Sequence, residues 1–160
     1  MEGALGPSEE PVRAIAIIVA CALAGGVAGA DSINVMVTSA CDSSPGHLDA
    51  RTRKLHGEIA RRVLKNSLDR DRVQVEGKRQ LDISVTSWQV STAGSRTVVS
   101  AEIRIVICDE HGKMLSIVHG KATVTAYHAK VDDLCCQAIA EAIESSSRGL
   151  RSQLHARTNA

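Results

Sequence analysis

Aromatic side chains are almost absent from this sequence. Its 160 residues include one Trp, one Tyr and no Phe. The core must therefore be built from Ile, Val, Leu, Ala and Met, and the ring platforms on which sugars, bases or flavins usually stack are nearly absent. So few rings argue against those classes of ligand.

The sequence also lacks a large excess of charge of either sign, and it lacks the residue spacings that are typical of catalytic sites. Nineteen Lys and Arg stand against eighteen Asp and Glu, so no global field attracts nucleic acid or an anionic membrane. There is no P-loop, no H-E-x-x-H, no C-x-x-C redox spacing and no nucleophile elbow. We therefore expect no cofactor, no bound metal and no enzymatic activity.

Long hydrophobic runs are limited to one, RAIAIIVACALAGGVAGADS, at residues 13–32. Its first half is strongly apolar, whereas its second half contains only small residues and is a poor membrane core. The final AGA before Asp31 matches the small-x-small rule for signal-peptidase cleavage. This asymmetry predicts a signal-peptide-like leader at residues 1–30 and a single exported domain at 31–160.

Other interpretations of the run stay open. The residues IVAC at 18–21 resemble a bacterial lipobox, in which Cys21 would be lipidated and would become the first residue of the mature protein. A strand before a phosphate-binding loop is disfavoured, because GGVAG lacks the G-x-G-x-x-G spacing. Glu2, Glu9 and Glu10 make the front end acidic, where an export signal usually carries basic residues.

Hydrophobic periodicity predicts six elements after the leader. The alternating stretch INVMVTS predicts a strand at 33–39, and Leu48, Thr52, Leu55, Ile59 and Val63 predict an amphipathic helix over about 48–69. Three alternating segments follow, from 81 with a bulge at Ser87–Trp88, around 99–107 and over about 114–126. An apolar stripe from Val131 to Ile143, extended by Leu150 and Leu154, predicts a closing helix.

The predicted order is β-α-β-β-β-α, and each strand is apolar on one face and polar on the other. This pattern is typical of an α+β fold, in which an antiparallel sheet of about four strands carries both helices on one face. The opposite face is expected to be open, with Asp82, Glu102, Arg104, His119 and Lys121 able to form cross-strand ion pairs.

Four cysteines remain once the leader is set aside: Cys41, Cys108, Cys135 and Cys136. In an oxidising compartment this even set predicts a candidate disulfide, and the sequence does not choose the pairing. Cys135 lies on the apolar stripe, where a free thiol packs as a small hydrophobe. The turn from Cys108 to His111 offers S, O and N donors, although polar residues are also the default at a hairpin tip.

The one charged cluster lies on the first helix, where Arg53, Lys54, Arg61 and Lys65 share the outer face. It is a candidate surface for a polyanion or another partner, and the alternative is a solvated helix face partly neutralised by Asp49 and Glu58.

Residues from about 80 to 155, with CDEHGKMLSIVHGKATVTA and the Ala-rich QAIAEAIESSSRGL, resemble a sheet-plus-helix domain of uncharacterised proteobacterial envelope proteins. The resemblance implies the fold and brings no activity with it. Together with the leader, it leads us to expect an exported periplasmic or membrane-anchored protein that binds an envelope partner. The membrane would be reached only through the leader or a lipid on Cys21. The alternatives are a cytosolic domain that binds nucleic acid through its basic helix, and a thiol- or metal-dependent enzyme.

Overall fold

The computed structural model describes residues 34–73, 75 and 77–155. The predicted leader, its cleavage point after Ala30 and the lipidation candidate Cys21 lie outside these residues. The elements are β1 (Val35–Asp42), α1 (Ala50–Arg70), β2 (Arg79–Ala93), β3 (Arg96–Cys108), β4 (Met114–Tyr127) and α2 (Val131–His155). The predicted order of strands and helices is therefore confirmed.

The four strands form one sheet in the order β1-β2-β3-β4, and β4 is one of its edges. β1 forms the other edge along Arg79–Val85 of β2, and beyond Val85 no described strand pairs with β2 on that side. β2, β3 and β4 pair antiparallel, as predicted, and the register shifts between Val85 and Ser87, close to the predicted bulge. β1 is the exception, because it pairs parallel with β2. The intervening helix α1 returns the chain to its starting end, and such a crossover produces a parallel pair. The sheet is thus mixed, with one parallel edge.

Both helices pack on the same face of the sheet, and the core lies between them. The innermost side chains are aliphatic, as the lack of rings requires, and those under 2% exposed include Leu64, Leu81, Ile83, Ile103, Ile105, Ile107, Ile139 and Ile143. Burying one such side chain stabilises the fold by about 1.5–3 kcal/mol. Leu150 and Leu154 are also buried, which confirms that the closing helix extends past the serines.

The buried face of α1 differs from the predicted one. Leu55, expected inside, is 46% exposed, whereas the polar neighbour His56 is only 3% exposed. The helix is turned so that His56, Ala60, Leu64 and Leu68 face the sheet. A histidine can occupy this face because the buried carboxylate of Asp42 on β1 hydrogen-bonds to its ring. Among the residues that the structure describes, no helix is long and apolar enough to cross a bilayer.

Candidate functional site

A buried carboxylate lies where β1 ends. The side chain of Asp42 is 0% exposed, and it accepts hydrogen bonds from the backbone N–H and the hydroxyl of Ser44. Its Oδ2 lies 2.7 Å from Nδ1 of His56, and an Arg53 guanidinium nitrogen lies 3.6 Å from its Oδ1. A buried carboxylate is tolerated only when its lone pairs are filled in this way.

The His56 ring packs edge-on against Trp88, with 5.3 Å between ring centroids and 72° between their planes. Asp–His pairs occur in hydrolytic sites, where the imidazole activates a nucleophile. Here the neighbouring hydroxyl, that of Ser44, bonds to Asp42 and makes no bond to the imidazole. The pair therefore joins α1 to the end of β1 and is not arranged for acyl transfer.

Sequence reasoning missed this cluster, because an acid and a histidine fourteen positions apart follow no motif spacing. Gly57 is the signal that could have indicated it. A glycine inside a helix costs about 1 kcal/mol relative to alanine, so its presence points to a close approach. A Cβ at Gly57 would lie 2.9 Å from the carbonyl oxygen of Ala40, and α1 therefore touches the β1 backbone there.

The same helix covers the free edge of β1. Three α1 residues at four-residue spacing face three alternate carbonyls of the strand, and two of them are cations that donate hydrogen bonds. The facing pairs are Arg53 with Asp42 at 3.2 Å, Gly57 with Ala40, and Arg61 with Thr38 at 3.0 Å. Cations and close cover on an edge strand prevent it from pairing with another chain.

The four cations of the predicted basic surface therefore fall into two groups, the arginines that bond to the β1 edge and the lysines that face solvent. Arg53 donates further bonds to the carbonyls of Ser44 and Gly46, so it braces the loop after β1. Lys54 is 79% exposed and lies 3.9 Å from Glu58, and Lys65 faces solvent. A groove of ≈ 390 Å³ between β1 and α1 is lined by Arg53, Arg61 and Gly57. The two lysines are the cations of the set that make no hydrogen bond to β1.

The four cysteines lie on three elements and are free thiols. Cys41 is exposed on β1, and Cys108 is buried at the end of β3. Burial raises the pKa of the Cys135 thiol to about 12, and it also raises the pKa of the Cys136 and Cys108 thiols. A raised pKa keeps a thiol protonated and weakly nucleophilic. The disulfide stays a prediction.

The turn from Cys108 to His111, which the sequence marks as a candidate metal site, is held in place by the carboxylate of Asp109. Asp109 Oδ1 accepts from the backbone N–H groups of His111 and Lys113, each at 2.9 Å. These bonds, led by the one from Lys113, hold the pKa of Asp109 below its ordinary value. Within the described ranges, no three His, Cys, Asp or Glu side chains are grouped so that they could hold a metal ion.

The opposite edge of the sheet, β4, is far less covered. One side chain in the described part of the chain bonds to its backbone, where the Ser145 hydroxyl donates to the Lys121 carbonyl at 3.2 Å. On the open face, Lys121 pairs with Glu102 of β3 at 2.6 Å, which is one of the cross-strand ion pairs that the alternation predicted. The Thr123 and Ser100 hydroxyls lie 2.8 Å apart beside it. Within residues 34–73, 75 and 77–155, β4 thus presents an edge without cations bonded to its carbonyls.

No protein-family model matches the sequence, and no curated protein matches it. A minor lipoprotein from Acinetobacter baumannii is similar in structure, at 14% identity and a TM-score of 0.48 over 74% of this chain and 91% of that one. A DUF330 protein from Xanthomonas campestris has 12% identity and a TM-score of 0.47, over 73% and 80% of the two chains. A candidate lipoprotein from Caulobacter crescentus has 13% and 0.44, over 71% and 86%.

These similar structures come from proteobacteria, and the resemblance of residues 80–155 to uncharacterised envelope proteins is confirmed as a similarity of fold. At these identities and TM-scores the similarity says nothing about the activity or the site residues of this chain.

Proposed function

We propose that this chain is an exported protein of the bacterial envelope that acts by binding or assembling with a protein partner and not by catalysis. Export rests on the apolar run that ends in AGA before Asp31. The binding role rests on one observation, the sparsely covered backbone edge of β4, to which one hydroxyl of α2 bonds among the described side chains. A strand edge with free N–H and C=O groups is a template on which another extended chain can add.

The chemistry of the described side chains favours binding over catalysis. The thiols of Cys108, Cys135 and Cys136 all have raised pKa values, which disfavours the nucleophilic thiolate. The Asp42–His56 pair is buried, and the neighbouring Ser44 hydroxyl donates to Asp42 and not to the imidazole. Both candidate sets of reactive groups are therefore better explained by packing.

A polyanion-binding role for α1 has less support. Of its four predicted cations, Arg53 and Arg61 already donate to backbone carbonyls of the β1 edge and the loop after it. Binding of nucleic acid through the rest would weaken steeply with added salt. We expect a short DNA duplex to show no salt-sensitive binding to the purified protein.

Fractionation and cross-linking in a Gram-negative host test the proposal together. The full chain is expressed, its intact mass is measured, and a photo-cross-linking amino acid replaces Thr125 on the β4 edge. The matched control carries the same amino acid at Arg104, an exposed residue of the same sheet face on β3, which is paired with β2 on one side and with β4 on the other. We expect the protein in the envelope or periplasmic fraction, with protein adducts from position 125 and none from position 104.

The intact mass also separates the leader hypotheses, since loss of residues 1–30 and a diacylglycerol on Cys21 give different masses. A full-length chain that stays in the cytosol would refute export. An exported chain that forms adducts from neither position, or equally from both, would refute partner binding at this edge.

A further inference from the structure

We propose that the occupant of the β4 edge is a second copy of this chain, added antiparallel about a two-fold axis so that two sheets become one. This inference rests on the proposed binding role and names its partner. Closed two-fold pairs are the commonest assemblies of soluble proteins, and they need a surface that complements itself. The β4 edge and the side of α2 above it have that property.

The backbone of β4 fixes which groups point outward. The Lys121 carbonyl accepts a hydrogen bond from Ser145 of α2 and so points away from β3. The His128 N–H, by contrast, donates toward β3, to the carbonyl of Ser95 in the turn that precedes it. Because backbone direction alternates along a strand, the odd-numbered residues from 117 to 127 present their N–H and C=O groups outward. These groups form a continuous row for an antiparallel partner.

Side chains select the register within that row. Centring the axis on Lys121 would place two lysines directly opposite each other, which is destabilising. Centring it on Ala122 instead places Lys121 opposite Thr123 of the second copy. The same register places Ile117, which is 41% exposed, opposite Tyr127, which is 67% exposed, on both sides of the axis. The dimer would therefore contain two Ile117–Tyr127 contacts, and each covers two large side chains that are exposed in the single chain.

Charges on α2 agree with the same axis. Ser145 lies over the β4 edge, and Glu141 and Arg148, four residues before it and three after, share its exposed side of the helix. An antiparallel copy related by the β4 axis brings Glu141 near Arg148 of the second chain, and Arg148 near its Glu141. The helix layer therefore adds pairs of opposite charge in the same register that keeps the two lysines of the strand layer apart.

Opposite charges at position 123 give a direct test. In the Ala122-centred register, Thr123→Glu faces Lys121 of the second copy, and Thr123→Lys sets two like charges against each other. Both variants lose the same hydroxyl contact with Ser100, so their difference reports the contact between copies. Gln89→Glu and Gln89→Lys are the matched controls, because Gln89 lies in the same cross-strand row but two strands away from the β4 edge, on the part of β2 beyond its pairing with β1.

Sedimentation equilibrium of the purified protein, over a concentration series, measures the association. We expect a dimer for the unaltered protein, tighter with T123E than with T123K by about tenfold, since each dimer contains two such pairs. The Gln89 variants should dimerise like the unaltered protein. If either Thr123 variant unfolds by circular dichroism, the concentration series of the unaltered protein decides.

An unaltered protein that stays monomeric throughout the series would overturn the inference, and so would T123E and T123K dimers of equal strength. A monomer that still forms adducts with other envelope proteins from position 125 would overturn this inference alone. The proposed function would then stand with a different partner.

Discussion

The two edges of the sheet are protected differently. β1 lies under a helix that comes within backbone contact at Gly57 and donates two arginines to its carbonyls. β4 is also approached by a helix, at Gly120, but of the side chains that the structure describes one serine hydroxyl bonds to its backbone. Both edges have a helix above them, so the difference lies in the side chains that reach the backbone and not in the architecture.

This difference changes the meaning of the basic cluster. Arg53 and Arg61 stand out in the sequence as a binding surface, yet in the fold they close an edge against binding. The edge that stays open is marked by small neutral residues such as Thr123 and Thr125. Conspicuous charge can therefore indicate the protected edge, and a plain alternating strand the available one.

The largest loss of stability is expected from breaking the buried ion pairs by which Asp42 links β1 to α1. Asp42→Ala leaves His56 and Arg53 without their buried acid, and breaking a buried pair costs about 3–5 kcal/mol of unfolding free energy. Urea denaturation measures it. Asp49→Ala, which removes only the exposed cap that accepts from Thr52, is the control at about 1 kcal/mol. Equal losses from the two variants would contradict the role of Asp42.

The next effect compares the two close helix–strand contacts. A Cβ added at Gly120 of β4 would collide with the Ala142 carbonyl of α2, so Gly120→Ala should cost about 1–3 kcal/mol. Gly57→Ala should cost less, because alanine regains about 1 kcal/mol of helix propensity that offsets its tighter contact. Thermal unfolding of the two variants measures the order, and a larger loss from Gly57→Ala would contradict it.

A smaller effect is expected from uncovering β1. Arg61→Ala frees the Thr38 carbonyl and should cost about 0.5–1.5 kcal/mol, while making the β1 edge available to other chains. Light scattering at rising concentration should show more association than for Lys65→Ala, which removes an exposed charge one turn along the helix. If the two variants scatter alike, Arg61 does not protect the edge.

The smallest effect on stability is expected from the pH dependence of the hydrogen bonds between β1 and β2 at Asp82. The Thr38 and Ser39 hydroxyls, each 2.7 Å from Asp82, hold the pKa of that carboxyl below its ordinary value. The stabilisation is complete above the unfolded pKa of about 3.9 and is lost as the pH falls through the lower folded value.

Asp82→Asn removes this contribution, so the difference in unfolding free energy between the unaltered protein and the variant should shrink on acidification from pH 6 to 3. Its size should stay under about 1 kcal/mol, because the side chain is open to solvent. A difference that grows with acid would contradict the assignment.

Much of the fold follows from sequence because local periodicity records it. The alternation of β2 to β4 and the stripe of α2 each point to one buried face, and the bulge near Ser87 breaks that alternation visibly. The parallel pairing of β1 could not be predicted the same way, since strand direction depends on a crossover and not on local pattern.

The site was harder to predict, because its residues act through contacts between distant elements. His56 sits in the core only because Asp42 meets it there, which overrides the apolar stripe that would have buried Leu55. Whether Arg61 faces solvent or the Thr38 carbonyl likewise depends on how closely α1 approaches β1. Gly57 and Gly120, which look unfavourable in a helix and a strand, were the local signs of those approaches.

Amide hydrogen exchange along both edges, followed as the protein is diluted, tests the central contrast most directly. We expect the outward amides of β4, at residues 119, 121, 123 and 125, to lose protection on dilution, while those of Ala40 and Asp42 on β1 do not change. Protection at β1 that falls on dilution while β4 stays constant would contradict it, and so would exchange at both edges that is independent of concentration.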